Sequence, residues 1–384
     1  VTTFAFAFND TSIAAIPSGL FDGCPLVVSF QQAFSNGVAA GSPTITSIPA
    51  DLFKLNTEVL NFSNCFSGIA SLTTVNSGVF QYNSKVATYA SCFDGCNALV
   101  NFASTINCQS ATTLTAMFDN STINTTDYDA ILNDLYQQSI GAGDYVGLQP
   151  SEVIDFGTSV YSINGAAARA AITVDDGWTF QDGGCDSTCD FVTTWDTTSG
   201  AKLTVPHTGT GYAFDIDWGD GETQTGLTEA DAPFIKPTNY AATGTTTITI
   251  SGVFPRVYFN NTGDKAKITA VTQWGSVGTT SAVGAFKGCA NLTTLPTGSA
   301  WASTSWDSGF YGCTTLAEIP AGLFDNSTAC TTFASTFYNC DGLTSIPAGL
   351  FTDNTLATNF GNTFWSCNNI TGAVPTGLFD TNTL

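Results

Sequence analysis

Hydrophobic residues in this chain fall into a recurring text that is fullest at residues 331–351, TTFASTFYNCDGLTSIPAGLF. As a pattern it reads F-x-x-x-F-x-x-C-x-x-L-T-x-I-P-x-G-L-F. Its second Phe returns at Phe286, Phe310, Phe337 and Phe364, spaced 24, 27 and 27 residues. The same position occurs earlier at Phe8, Phe34, Phe66 and Phe93, spaced 26, 32 and 27, with a loop insertion, SNGVAAGSP, after Phe34. Each repetition predicts the same three elements. Phe at i and i+4 marks one helical face. L-T-S-I reads as a short strand, ended by a Pro that has no N–H for a ladder. Ala-Gly-Leu-Phe is the corner. A period in the twenties predicts stacked turns, because one turn cannot bury its own apolar face.

Between the two repeat blocks the pattern changes twice. Thr126 to Asp129 has the form of a capping box, and Tyr128, Ile131, Leu132, Leu135 and Tyr136 then fall on one helical face. A Gly-rich loop follows, then a strand at Glu152–Phe156, a second helix at Gly165–Ile172 and a last strand at Gly177–Gly184. From Phe191 the reading is all β, with strands at Lys202–Val205, Tyr212–Trp218, Thr245–Ser251, Val257–Phe259 and Ile268–Gln273. Asp220-Gly221 reads as a hairpin turn.

The repeat columns, carried by both ends of the chain, resemble leucine-rich repeats, and more narrowly those of BspA-like surface proteins. The segment TTDYDAILN … YSINGAAARAAI … GWTFQDGG resembles the tail that closes such arrays. AFDIDWGDGE, with FPRVYFNNTGDK and VTQWG downstream, resembles the PKD-like domain that precedes them. The fold expected from this resemblance is mainly β with short helices: a leucine-rich-repeat solenoid in two blocks, a small α/β cap and a PKD-like β-sandwich. The boundaries fall at 1–118 (repeats), 119–184 (cap), 185–273 (sandwich) and 274–384 (repeats). Family order, sandwich then repeats then cap, is recovered by reading 190–384 and then 1–184.

That reordering coincides with a match between the ends. GLFDTNTL at 377–384 followed by VTTFAFAF at 1–8 reproduces GLFTDNTLATNFGNTF at 349–364. Four turns at one end would thus continue into four at the other. The expectation is a head-to-tail fibril or appendage, joined covalently or by stacking of subunits. Val1, Phe4, Phe8, Leu20, Phe21, Phe360, Phe364, Leu378, Phe379 and Leu384 would lie at the junction.

Composition narrows the partners. The chain has 384 residues, 31 acidic and 9 basic, for a net charge of −22, which argues against nucleic acid and anionic membranes. No apolar run reaches transmembrane length and no signal peptide is present, so a targeting segment would lie outside this sequence. Eight N-x-S/T sequons, at Asn9, Asn61, Asn120, Asn124, Asn260, Asn291, Asn326 and Asn369, are glycosylation candidates. Of twelve Cys, Cys96, Cys289, Cys313, Cys340 and Cys367 share one repeat column and read as small core residues. Cys65 and Cys92 share another column. Cys185 and Cys189, close together in a polar linker, are the candidate disulfide.

Signatures of catalysis are missing. The one His, His207, has no marked partner, and there is no nucleophile elbow, P-loop or H-E-x-x-H. No two carboxylates stand out as a glycosidase pair. Asp215, Asp217, Asp220 and Glu222 could together attract Ca²⁺. Their spacing is not that of an EF-hand, and turn chemistry on a solvated face explains them, so no cofactor is expected. Trp301, Trp306 and Trp365 lie outside the main columns and are candidates for stacking on sugars. The expectation is a non-enzymatic extracellular or cell-surface structural protein whose main partner is itself. The alternatives are a surface adhesin that binds glycans or host-surface proteins, and a phage or viral fibre.

Overall fold

A computed structural model describes residues 1–36, 43–143, 145–241 and 244–382. Most of the loop insertion after Phe34 and all of Leu384 fall outside the described residues. The chain forms two compact units, Val1–Asp186 and Ser187–Leu384.

The structure is mainly β but corrects the expected leucine-rich-repeat solenoid in two blocks. Among the described residues its sheets have three, five and two strands, and none closes or winds as a solenoid. The repeat's strand position yields only β1 (Ser47–Ile48), β2 (Thr74–Val75) and β3 (Asn101–Phe102), two residues each, in one parallel sheet. The F-x-x-x-F segments are not helical either. They are successive turns, because the residue midway between the aromatics is left-handed. Gln32, Asn64, Ser91, Ser308, Ser335 and Asn362 all have φ between 52° and 61°. A left-handed residue ends a right-handed helix.

What repeats instead is a tier of turns bonded to the next tier by a row of backbone hydrogen bonds. Every second N–H from Phe333 to Asn339 donates to every second carbonyl from Asn359 to Trp365, at 2.8 to 2.9 Å. In the first unit the N–H groups of Phe4, Phe6, Phe8 and Asp10 reach the carbonyls of Ser29, Gln31, Ala33 and Ser35 in the same way, at 2.8 to 3.0 Å. Inside each tier the Phe rings face the core and stack on their equivalents. Phe34, Phe66, Phe93 and Phe118 follow one another at 5.4 to 5.5 Å. Phe286, Phe310, Phe337 and Phe364 do so at 5.4 to 5.6 Å.

In the first unit the tiers end on a small α/β element. Helix α1 (Thr125–Ser139) is capped two residues earlier than the capping box at Thr126 suggests. Its cap is Asn124, whose side chain accepts the Asp127 N–H. It buries Tyr128, Ile131, Leu132 and Leu135 and packs against α2 (Ile163–Asp175). Strands β4 (Val153–Asp155) and β5 (Thr179–Gln181) pair in parallel. The tier at Leu114–Phe118 bonds onto β4, with Phe118 N–H donating to the Asp155 carbonyl at 3.0 Å. Trp178 is buried here and donates its indole N–H to the Gln149 carbonyl at 2.6 Å.

The second unit begins with one five-stranded antiparallel sheet rather than the expected two-sheet sandwich. It comprises β6 (Phe191–Asp196), β7 (Ala213–Asp217), β8 (Thr223–Thr228), β9 (Thr245–Val253) and β10 (Ile268–Gln273), in the order β10-β6-β9-β7-β8. The strands expected at 202–205 and 257–259 supply only single bridges, Thr204 to Ile235 and His207 to Val257. They cover the buried face set by Phe191, Trp195, Phe214, Ile216, Ile248 and Ile250.

Candidate assembly surfaces

The row bonding gives every tier a direction. A parallel β-strand residue normally gives and takes on the same neighbour. Here the aromatic segment of a tier donates toward the tier that follows and accepts from the tier before. Two residues ahead of each row's first aromatic a single bond runs the other way, as from Thr331 N–H to the Thr304 carbonyl and from Thr358 N–H to the Thr331 carbonyl. The tier at 333–339 donates to residues 359–365, and its own carbonyls, at Thr332, Ala334, Thr336 and Tyr338, accept from residues 306–312.

The outermost tiers carry half of this pattern. Among the described residues, no carbonyl meets the N–H groups of Phe360, Asn362, Phe364 and Ser366. None of the described residues donates its backbone N–H to the carbonyls of Thr3, Ala5, Ala7 and Asn9. The aromatic columns are likewise one-sided there. Phe360 stacks on Phe333 at 5.6 Å and Phe364 on Phe337 at 5.6 Å. Phe4 stacks on Phe30 at 5.7 Å and Phe8 on Phe34 at 5.2 Å. All four outer rings are only partly buried, whereas their inner neighbours are fully buried.

Of the other residues expected at a junction, Val1, Leu20 and Phe379 are exposed, while Phe21 and Leu378 are buried in the tiers. Leu384 lies outside the described residues. Trp365 is 61% exposed, but Trp301 and Trp306 are buried. Trp306 takes the place of the first Phe of its tier. The sequon residues are exposed or bonded into their surroundings by their own side-chain amides. Asn124 caps α1, and Asn291, Asn326 and Asn369 donate Nδ2 to the carbonyls of Ala266, Ala300 and Asp341. Asn120 and Asn260 are exposed. Asn9 and Asn61 are half-buried.

The carboxylates near the W-G-D-G turn already have partners. Asp215 accepts the Gly226 N–H and Asp217 the Gly219 N–H. Asp220 lies 3.0 Å from the buried Lys236 Nζ, and Glu222 also pairs with it. Hydrogen bonds from Lys236 and Thr238 hold the Glu222 carboxyl below its ordinary range. A resident ammonium occupies the place a cation would take, and no group of three potential metal ligands occurs among the described residues. His207 sits against Phe234, ring centres 4.5 Å apart.

Cys185 and Cys189 are disulfide-bonded, and the other ten cysteines are free. The column cysteines act as donors between tiers. The thiols of Cys96, Cys313, Cys340 and Cys367 donate to the carbonyls of Phe66, Phe286, Phe310 and Phe337. Burial pushes the Cys96 thiol up to about 12 and raises Cys313 and Cys340 strongly.

One set of residues escaped the sequence reading. Asn56, Asn83 and Asn354, all buried, and the half-buried Asn382 form columns, each Nδ2 donating to a corner carbonyl of the preceding tier at 2.7 to 3.2 Å. The signal was present as Asn three residues after the corner Phe, in LFKLN, VFQYN, LFTDN and LFDTN.

The fold and the two surfaces define a mainly β protein of directionally bonded tiers. Comparison with protein-family models, with curated proteins and with solved structures found no match.

Proposed function

We propose that this chain is a non-enzymatic structural protein of the extracellular space or cell surface, used as a unit repeated head to tail. The observation that carries this reading is the state of the outer aromatic columns. Phe360 and Phe364 on one surface, and Phe4 and Phe8 on the other, are each stacked on a single side. The sequences of the two surfaces also continue one repeat text. A heterologous contact of this kind leaves a fresh copy of each surface after every addition, so it propagates.

The test is concentration-dependent self-association by light scattering, with electron microscopy of the product. The wild-type chain should elongate, and Phe364→Asp or Phe8→Asp should each stop it while leaving circular dichroism unchanged. A chain that stays monomeric at every concentration would overturn the reading.

Glycan binding at a surface has one observation in its favour. Trp365 is exposed, and one tier away Tyr338 stacks on Tyr311 at 4.5 Å, nearly parallel. Aromatic faces of this kind suit the C–H faces of sugars. Quenching of Trp365 fluorescence by oligosaccharides, lost in Trp365→Ala, would support this second reading.

A further inference from the structure

We infer that two copies meet through one more backbone row, in a single register and a single polarity. This rests on the head-to-tail reading and specifies the bonds that make it. Every second N–H from Phe360 to Ser366 of one copy donates to every second carbonyl from Thr3 to Asn9 of a second copy.

Three observations fix the register. The interior rows run from an aromatic residue's N–H to the carbonyl just before the next tier's aromatic, as from Phe333 to Asn359 and from Phe4 to Ser29. Applied to the outer tiers, this pairs Phe360 with Thr3 and Phe364 with Ala7. The backbones also correspond. Asn362 and Phe6, midway between their aromatics, have φ of 58° and 59°, so the two tiers have the same twist at the centre of the row. The same register sets Phe360 over Phe4 and Phe364 over Phe8, which extends both stacks beyond their observed neighbours.

Polarity follows from the chemistry of the rows. Within the row one surface offers four donors, Phe360, Asn362, Phe364 and Ser366, and the other four acceptors, Thr3, Ala5, Ala7 and Asn9. Two like surfaces brought together would set donor against donor, or acceptor against acceptor, and bury the groups unpaired, which desolvation opposes. The partner is therefore a second copy of this chain in the parallel sense. No unrelated partner is needed to complete either row.

The test uses two full-length variants, Thr3→Cys and Asn359→Cys. Both positions are exposed and belong to the outward bridge column, where Thr3 pairs with Ser29 and Asn359 with Thr332. Paired strands place such residues about 5 Å apart, within disulfide reach. Mixed under mild oxidation, the variants should give a bond between position 3 of one copy and position 359 of the other. Peptide mapping should find it at least tenfold over either like-with-like bond. A majority of like-with-like bonds would overturn the polarity. Elongation without the mixed bond would overturn the register while leaving head-to-tail assembly standing. No self-association of the unmodified chain would overturn both readings. Hydrogen exchange on the unmodified chain guards against a folding defect in the variants. Amides of peptides covering residues 359–366 should exchange at least tenfold more slowly in the assembled state, and unchanged exchange in assembled material would also overturn the row.

Discussion

A side chain in one of the repeated columns meets the same backbone groups in every tier, so its chemistry is dictated by position more than by its neighbours in sequence. Asn83 shows this most directly. Its Nδ2 bonds to the carbonyls of Phe53 and Asn56 inside the first unit. Asn83→Ala removes the side-chain donor from two buried carbonyls, which keep the backbone N–H groups of Asn56 and Val59. The cost is that of two lost hydrogen bonds, about 0.5–1.5 kcal/mol each. Denaturant unfolding should read a loss of that order. A loss within experimental error would mean that the column is ornamental. At Ser335, φ is 53°. Ser335→Gly should be neutral or stabilising, whereas Ser335→Val should destabilise, because a β-branched side chain is strained there. Equal melting temperatures for the two variants would contradict the left-handed assignment. The free thiols of the column are buried with raised pKa values. In the native protein a thiol reagent at neutral pH should therefore modify the part-exposed Cys24 first and the column only on unfolding.

At the scale of elements, burial pattern and backbone conformation separated. F-x-x-x-F was correctly legible as one buried face, and the Phe residues do lie in the core. The step from that spacing to a helix failed, because turns built around a left-handed residue also bring positions i and i+4 to one side. Asn and Ser tolerate that conformation, but Gln32 and Phe6 adopt it without any local preference. The row of bonds to the next tier imposes it. The short strands shrank for the same reason, since bonding between tiers is concentrated in the turn segment. The helices of the first unit were read well from their periodicity, with a shifted start because Asn124 is the better placed cap.

In the second unit, the β7–β8 hairpin carries a prediction about acid. The ordinary Glu pKa is about 4.3, and Glu222 lies below its ordinary value because of the bonds from Lys236 and Thr238. A depressed carboxyl adds stability that is present above the unfolded-state pKa and lost as pH falls through the folded-state value. Glu222→Gln should therefore lower the melting temperature at neutral pH, and the gap from wild type should close as the solution is acidified below about pH 4.3. A gap that is independent of pH would exclude this linkage.

For the whole molecule, the net charge of −22 opposes any association of copies, while the proposed contacts are backbone bonds and stacked rings. Salt screens the first and barely affects the second. The Debye length falls from about 30 Å at 0.01 M to about 3 Å at 1 M ionic strength. Self-association should therefore strengthen as salt is raised, as measured by light scattering. Dissociation by salt would point to an ionic junction instead.

The sequence by itself determined the period, the buried columns, the acidic character and the match between residues 377–384 with 1–8 and residues 349–364. These are properties of side-chain order, and hydrophobic burial reads them directly. Only the tertiary structure decided that the F-x-x-x-F segments are turns built around a left-handed residue rather than helices, that one five-stranded sheet replaces a sandwich, and that Lys236 occupies the acidic turn. It also decided the direction of the rows. The N–H and C=O groups that compose them are the same in every residue, so side-chain identity carries no record of where they point. That is set by backbone conformation, which here is fixed by the bonds each tier makes with the next.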